Sequence, residues 1–234
     1  NVPRVSLARL SEQAGAAVDL QWRADLDAGS VASEAVLDGQ GSLFVSGQSL
    51  DSINGVPCCD GIVKLAATGS GAVDPLWRVD FTGSHPRSIN QIALHGGYLY
   101  IGGRFDSLLQ DGGNLMRHGL ARVDSVGAGR VDPTWSPTSA FGFSHEVMAL
   151  EITASQVLVG AQLPSSHRIS SYSTAMSGAP VPGWQIVGVD GFITDLLLSP
   201  FALHVSGRFI QASGMPRRGL VALAVDHLHR DGFE

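Results

Sequence analysis

Val131-Asp-Pro-Thr-Trp135 is one copy of a motif that recurs along this chain and decides its fold. The other copies are Val18-Asp-Leu-Gln-Trp22, Val73-Asp-Pro-Leu-Trp77 and Val181-Pro-Gly-Trp184. Their tryptophans lie about 50 to 60 residues apart, and regular spacing on that scale is typical of proteins built from tandem structural repeats. The sequence therefore predicts one supersecondary unit that is repeated along the chain.

Three further apolar segments recur between the tryptophans. One begins with glycine at Gly61–Leu65, Gly119–Val123 and Gly219–Leu223, with an orphan copy at Ser6–Leu10 and a degraded copy near Ile169–Tyr172. A second, which contains a glycine, occupies Ser42–Gln48, Tyr98–Arg104, Gln156–Gln162 and Ala202–Arg208. A third precedes it and ends at Leu37, Leu94, Ile152 and Leu198. Because these segments are too short for helices, each repeat is predicted to supply about four strands.

Four-stranded units at this spacing are typical of the blades of a β-propeller, so we expect an all-β fold with about four and a half blades in this chain. We expect the recurring tryptophan to pack between adjacent blades; a platform for stacking sugars is the alternative. The recurring Gly47, Gly103 and Gly207 allow a bulge or a close backbone approach. The predicted blades are 1–30 (partial), 31–85, 86–143, 144–192 and 193–234, the last with a C-terminal tail.

The composition agrees with this fold and restricts the partners. Of the 234 residues, 44% are hydrophobic and 15% charged, and there are 29 glycines and 11 prolines, which suits short strands joined by turns. A formal net charge of -6 provides no general attraction to nucleic acid or anionic lipid. No apolar run reaches the roughly 18 residues that cross a bilayer, so no membrane span is expected.

The stretch from Gly102 to Trp135 resembles a known family. It contains Gly-Gly-Arg-Phe, a glycine-containing loop, Arg-His-Gly-Leu-Ala-Arg-Val-Asp and then the tryptophan motif. This order is similar to the delta-60 repeat of bacterial β-propeller proteins, and the resemblance covers nearly the whole chain. It implies a seven- or eight-bladed ring in a secreted, periplasmic or cell-surface setting, and it implies no reaction. The ending His229–Glu234 is also similar to a short ending of exported bacterial proteins.

The chain is expected to begin inside a repeat, because Asn1–Leu10 aligns with Gly214–Leu223. The first two strands of that blade would then lie upstream, and an unfilled ring would expose strand edges that recruit other strands. We therefore expect the C-terminal part of a larger propeller that was cleaved in a loop. Its expected partner is the N-terminal portion of the same propeller or a second chain.

The candidate binding residues lie in two classes of loop, those between the second and third strands of a blade and those between blades. Both classes emerge on one face of a propeller, and function collects in loops. Histidine there can act as an acid, a base or a metal ligand near neutral pH, and arginine binds carboxylates and phosphates. The candidates are Cys58, Cys59, His85, Arg87, His118, His145, Glu146, His167, Arg168 and Arg217.

The adjacent Cys58 and Cys59 are the only cysteines of the chain. They stand where other repeats have Met116-Arg117 or Arg217, and adjacent cysteines can close a small disulfide ring. We expect a disulfide between Cys58 and Cys59. It is either structural or also in contact with a ligand, and the remaining alternative is thiols that are free, bound to a metal or paired with another chain. No Cys-x-x-Cys spacing completes a metal site. A disulfide favours an extracytoplasmic location.

Two functions remain open. The first is a binding or scaffold module whose loops recognise protein or carbohydrate. The second is a secreted hydrolase, lyase or oxidoreductase with an active site at the central depression of the ring. The sequence contains no nucleophile elbow, phosphate loop, zincin helix or EF-hand loop, so no catalytic residue, metal or cofactor is assigned. A calcium ion at Asp106–Gly113 is left open, although that loop lacks the ordered ligands of a calcium loop.

Overall fold

The computed structural model describes residues 7–11, 17–82, 88–137, 146–163, 166–175, 177–184 and 187–224. Over these residues the chain is all-β, with several antiparallel sheets, which confirms the all-β part of the prediction. Glycine-containing turns define the strands. Gly96 and Gly97, for example, both have positive φ, 60° and 83°, which is the conformation that a two-residue hairpin requires.

The long strands form four repeat units, each with three antiparallel strands in chain order. Strands are numbered along the chain. Unit 1 contains β1 (Val31–Leu37), β2 (Ser42–Gln48) and β5 (Ile62–Ala66), and unit 2 contains β7 (Ser88–His95), β8 (Tyr98–Arg104) and β11 (Leu120–Asp124). Unit 3 contains β12 (Glu146–Ile152), β13 (Gln156–Leu163) and β14 (Ser166–Ser173), and unit 4 contains β16 (Phe192–Leu198), β17 (Ala202–Arg208) and β20 (Leu220–Ala224).

The short strands belong to hairpins and connectors. A hairpin separates the second and third strands in units 1, 2 and 4; its strands are β3 (Ser52–Ile53) and β4 (Val56–Pro57), β9 (Ser107–Gln110) and β10 (Gly113–Met116), and β18 (Gln211–Ala212) and β19 (Met215–Pro216). The connectors that lead from one unit to the next contain β6 (Asp80–Thr82) and β15 (Val187–Val189).

In units 1 to 3 the predicted fourth strand is reduced to a single backbone pair. These pairs are Leu65 with Val73, Val123 with Val131 and Tyr172 with Pro180. A proline in or beside the motif strand has no N–H to continue the ladder. The third pair also corrects the alignment of the unit 3 motif, which runs from Pro180 to Trp184, so that Val181 takes the place of an aspartate.

The recurring glycines are explained by a bulge in the first strand. The pairing of first and second strands shifts register in all four units. Beside the bulge, a Cβ on Gly47, Gly103 or Gly207 would collide with a carbonyl oxygen of the first strand. The predicted bulge and the predicted close backbone approach therefore occur together.

The apolar core lies between consecutive units. One buried cluster joins Phe44 and Ile62 of unit 1 to Ile89, Ile101 and Val123 of unit 2. Two other clusters join unit 2 to unit 3 and unit 3 to unit 4. Units 2 and 3 thus bury apolar side chains on both faces, and this burial holds the array together.

Three tryptophans anchor one unit to the next, as predicted. Trp22, Trp77 and Trp135 are at most 3% exposed. Each indole N–H donates to a carbonyl oxygen at the end of the next third strand, at 2.9 Å in every case; the acceptors are Ala66, Asp124 and Ser173. Each ring also covers a glycine of that next unit at positive φ; these are Gly71, Gly129 and Gly178.

An ion pair lies beside each of these tryptophan contacts. We call the tryptophan contact and the ion pair together the junction clamp. The Arg122 guanidinium binds the carboxylate of Asp132 in its own unit and donates to the Thr174 carbonyl, 2.6 Å away. Burial would raise the pKa of the Asp132 carboxyl, but hydrogen bonds from Thr134 and Arg122 outweigh it and hold that pKa below its usual value. The same arrangement joins Lys64 to Asp74 and the Ser125 carbonyl, and Arg9 to Asp19 and the Ala67 carbonyl.

Gly129→Ala should destabilise the protein more than Gly127→Ala. Both glycines have positive φ, 70° and 62°, so alanine is strained at either position by about 1 to 2 kcal/mol. Only at Gly129 does the added methyl group meet a fixed neighbour, the Trp77 ring at 2.9 Å. This overpacking should cost about 1 to 3 kcal/mol more. Thermal unfolding measures the difference, and equal melting temperatures for the two variants would contradict the anchoring role of Trp77.

Candidate functional site

Connectors and hairpins meet along one edge of the array, which we call the loop edge. In the described units it comprises connectors at 23–30, 78–82 and 187–191 and hairpins at 49–60, 105–119 and 209–219. β6 pairs with β9, β15 pairs with β18, and Leu26 pairs with Ile53. These pairs bring the two predicted loop classes together.

The first connector is fixed against the unit 1 hairpin by side-chain hydrogen bonds. Asn54, at the hairpin tip, has a positive φ of 53°. Its side chain accepts the backbone N–H of Asp25 at 3.0 Å and donates to the Arg23 carbonyl at 3.2 Å. The Ser52 hydroxyl donates to the Asp27 carboxylate, and the Arg23 guanidinium donates to the Asp25 carboxylate at 2.5 Å. The backbone of this region is therefore held by its own polar side chains.

A cavity of about 560 Å³ lies beside these bonds, lined by Arg23, Asp25, Leu26, Asp27, Asn54 and Gly55. Ligand pockets in proteins typically have volumes of about 300 to 1,000 Å³. Carboxylate, guanidinium and amide groups offer both acceptors and donors, which suits a ligand rich in hydroxyl groups. Asp25, Asp27, Asn54 and Gly55 belong to the two loop classes that the sequence predicts, but sequence reasoning did not include them among the candidate binding residues.

Carboxylates also fix the loop edge elsewhere. The Asp190 carboxylate accepts the backbone N–H groups of Gln211 and Ile210 at 2.9 and 2.8 Å, and these bonds hold its pKa below the usual value. The carboxylate of Asp60 accepts the backbone N–H of Phe81 at 2.7 Å. Each bond ties a hairpin to a connector, so the backbone of the loop edge is held in position before any ligand arrives.

The sequence-predicted site residues lie in different parts of the structure. His118 and Arg217 lie at the bases of the hairpins of units 2 and 4, on the loop edge; His118 is partly buried and Arg217 is exposed. The prediction of a loop for His167 and Arg168 is wrong, because they belong to β14 and pair with Val189 and Gly188 of β15. Only two residues of the sequence separate β13 from β14, and Leu163 pairs with Ser166. The candidates His85, Arg87 and His145 lie outside the described residues.

Glu146 belongs to a polar network on the first strands rather than to a loop. Its carboxylate accepts the Ser88 hydroxyl at 3.1 Å and the Asn90 amide at 2.9 Å. The neighbouring Gln91 donates to the Glu34 carboxylate at 2.8 Å and accepts the backbone N–H of Leu150 at 3.3 Å. The network joins units 1, 2 and 3. Sequence reasoning missed all of it except Glu146, because these polar residues stand inside apolar runs whose register only the pairing reveals.

Cys58 and Cys59 are joined by a disulfide, as predicted. Both backbone N–H groups donate to the Asp51 carbonyl, at 3.2 and 3.3 Å. Cys59 is 8% exposed and packs in the cluster that includes Trp22 and Leu50, and Cys58 packs against the same cluster. This contact with the core supports the structural alternative among the three left open by the sequence.

No group of three or more His, Cys, Asp or Glu side chains is placed to hold a metal ion in the described residues. Asp106–Gly113, where a calcium ion was left open, forms most of the unit 2 hairpin, and the Asp111 carboxylate there accepts a hydrogen bond from Arg130. Within the described part of the chain, no helix has the length and apolar character to span a membrane.

Comparison with known proteins adds little. No protein-family model matches the sequence, and no curated protein matches it. Among solved structures, the chain is similar to the computationally designed Ika8 protein, with 12% identity and a TM-score of 0.38 over 84% of this chain and 69% of that one. A similarity this low carries no argument about the site.

Native protein alkylated without reductant should gain no label at Cys58 or Cys59, whereas reduced and unfolded protein should gain a label at each. Intact mass measures both states. The double variant Cys58→Ala/Cys59→Ala should lose about 1 to 3 kcal/mol of stability through lost packing. The cross-link itself should contribute little, because it closes a very short loop. Labels at both cysteines of the native protein would contradict the disulfide.

Proposed function

We propose that this chain is an extracytoplasmic β-propeller module of the delta-60-repeat kind that binds protein or carbohydrate and acts as a scaffold. The repeated junction clamp supports the propeller, because one contact geometry applied between successive units places them along a regular arc. Sheets that bury both faces against their neighbours are also what blades require. The disulfide supports the extracytoplasmic setting, since disulfides persist in oxidising compartments.

The observation that carries the binding role is the fixed geometry of the loop edge around the 560 Å³ cavity. The bonds of Asn54 and Ser52 hold the lining in place before a ligand binds, so binding loses less conformational entropy. Asp25 and Asp27 supply acceptors, and Arg23 and Asn54 supply donors. Because sugar hydroxyl groups both donate and accept, this lining favours carbohydrate as the first ligand class to test.

The double variant Arg23→Gln/Asp25→Asn should bind an oligosaccharide ligand at least about tenfold more weakly, because hydrogen bonds to charged groups contribute about 1.5 to 3 kcal/mol. Titration of isotope-labelled protein with a panel of soluble oligosaccharides provides the measurement, followed at the backbone amides of Asn54 and Gly55. The matched control is Arg78→Gln/Asp80→Asn, which removes the same kind of pair, 2.6 Å apart, from the next connector and outside the cavity.

The control variant should bind as the wild type does. Equal weakening in both double variants would contradict the cavity as the site. Saturable shifts of the Asn54 and Gly55 amides with a protein ligand, but with none of the sugars, would contradict the carbohydrate assignment and support protein recognition.

We also propose that a further repeat unit covers the outer face of unit 4, supplied by an N-terminal portion of the same propeller or by a second chain. Leu220 is 64% exposed. The residues at its position in the other three units are at most 2% exposed, because the following unit covers them; they are Ile62, Leu120 and Ile169. Unit 4 thus exposes an apolar side chain at a position that the following unit buries in units 1 to 3. A further repeat unit would bury Leu220 in the same way.

The native particle should therefore be heavier than the 24.5 kDa of one chain, and Leu220→Arg should reduce its mass. Light scattering after size-exclusion chromatography measures this, and electrophoresis under denaturing conditions identifies the partner as a second copy or another polypeptide. Leu76→Arg, at a turn residue that is 77% exposed, is the control and should leave the mass unchanged. A wild-type particle with the mass of one chain would contradict the partner.

The alternative function, a secreted hydrolase, lyase or oxidoreductase with its active site at the central depression, stays a prediction. Glu34 and Glu146 each accept a hydrogen bond from an amide side chain of unit 2. These bonds align neighbouring first strands, which is a structural task, and we assign no catalytic step to either carboxylate.

A further inference from the structure

In units 1 to 3 the outer edge of the third strand is paired with the tryptophan motif that follows it. Each pairing has two backbone hydrogen bonds, one donated by the strand and one donated by the motif. In unit 2 the Asp124 N–H donates to the Arg130 carbonyl at 2.8 Å, and the Asp132 N–H donates to the Arg122 carbonyl at 2.9 Å. The matching bonds of units 1 and 3 are 2.8 to 3.0 Å long. The motif therefore covers an edge that would otherwise present unpaired backbone groups.

The third strand of unit 4, β20, has no such neighbour among the described residues. Ala222 and Ala224 stand at the positions of Arg122 and Asp124, and both are exposed. In the described chain, no bond of the unit 2 kind joins either alanine to another segment. Leu223, between them, is partly exposed. The residues at its position in units 1 to 3 are at most 1% exposed; they are Leu65, Val123 and Tyr172.

Arg217 lies beside this edge and matches Arg117 of unit 2. Both stand two residues before the glycine that precedes the third strand, and each guanidinium donates to the carbonyl of the preceding residue at 2.8 Å. The other terminal nitrogen of Arg117 donates to the motif carbonyls of Asp132 and Pro133, at 3.0 and 3.3 Å. Arg217 makes the first of these contacts, and the described chain places no motif beside it to accept the second. The guanidinium is therefore oriented for the carbonyls of a strand on β20.

The side chain of Ala222 indicates which strand fits. In units 1 and 2 a cation of the third strand binds the motif aspartate. In unit 3 Ser171 replaces the cation and Val181 replaces the aspartate, so neither position carries an unpaired charge. Ala222 is likewise uncharged. A strand on β20 should therefore keep the valine and proline of the motif and carry an uncharged residue between them.

We propose that the outer edge of β20 binds an extended segment of a partner protein by strand addition, with the sequence valine, uncharged residue, proline. The segment runs antiparallel to β20, and its backbone exchanges hydrogen bonds with Ala222 and Ala224. Two of its carbonyls accept hydrogen bonds from Arg217. In strand addition the backbone bonds supply affinity and the side chains supply specificity. This edge is separate from the outer face of unit 4, so the proposal does not depend on a further repeat unit.

Titration of isotope-labelled protein with a synthetic peptide tests the edge. The peptide has the sequence of residues 129–135 with Asp132→Asn, which removes the charge but keeps an oxygen that can accept the Thr134 N–H. At millimolar peptide the Ala224 amide resonance should shift in a saturable manner. The same peptide with a methyl group on the backbone nitrogen of its asparagine should bind about fivefold more weakly, because it cannot donate to the Ala222 carbonyl. Equal affinity for the methylated peptide, or no saturable shift with the first, would overturn the proposal.

Two variants of the protein separate binding from folding. Ala224→Pro removes the N–H that the peptide needs, and proline is tolerated on the edge of a sheet. The melting temperature should therefore stay at the wild-type value, while binding, followed at the Leu223 amide, weakens about fivefold. Arg217→Gln should weaken binding by a similar factor, whereas Arg218→Gln, at the adjacent exposed arginine, should leave it unchanged.

Wild-type affinity in Ala224→Pro or in Arg217→Gln would overturn the proposal. A shift of the Ala224 amide on dilution of the protein alone would show that a second copy pairs with this edge, and it would also overturn the proposal.

Discussion

The hydrogen bond from a tryptophan indole to the last carbonyl of the next third strand is the contact on which the array of sheets depends. A single repeat unit cannot bury its own apolar faces, and stacking against its neighbours buries them in a continuous core. The large ring covers the neighbouring unit, and its N–H satisfies a carbonyl that the ring itself removes from water. A glycine at positive φ lies beneath the ring because any side chain there would hold the two units apart. At each junction, one tryptophan therefore both buries apolar surface and donates a hydrogen bond to a carbonyl that is shielded from water.

The ion pair of the junction clamp has a different role. Taking a buried arginine and aspartate out of water costs about as much as their attraction returns, so the pair contributes orientation more than stability. This explains why unit 3 replaces both members together while it retains the tryptophan. A cation at position 171 alone, or a carboxylate at position 181 alone, would leave an unpaired charge, but Ser171 with Val181 leaves none. The position can therefore change without loss of the array.

The sequence alone predicted the features for which the local structure allows only one type of residue. Gly47 and Gly103 must lack a side chain, and the tryptophans must fill the space between units, so repetition revealed both. It failed where the outcome depends on pairing between segments. His167 was predicted in a loop, because nothing in the sequence indicated that the connection before it is shorter than in the other units. The pairing of Pro180 with Tyr172 also shows that the unit 3 motif begins one residue earlier than the sequence alignment placed it. Glu34 and Gln91 form a network because the packing of the units brings their first strands together. The recurring glycines indicated a bulge, but they did not indicate which polar side chains meet beside it.

The base of the hairpin shows how one structural requirement is met by different chemistry in successive units. Unit 2 has Arg117 there, whose buried guanidinium needs two carbonyl acceptors from the motif. Unit 4 has the exposed Arg217, which donates to the adjacent Pro216 carbonyl. Unit 1 has Cys59, which carries no charge and is fixed by a covalent bond to its neighbour. Because the unit 1 hairpin also lines the cavity with Arg23 and Asp25, a neutral covalent constraint fixes its base without placing another cation near that pair.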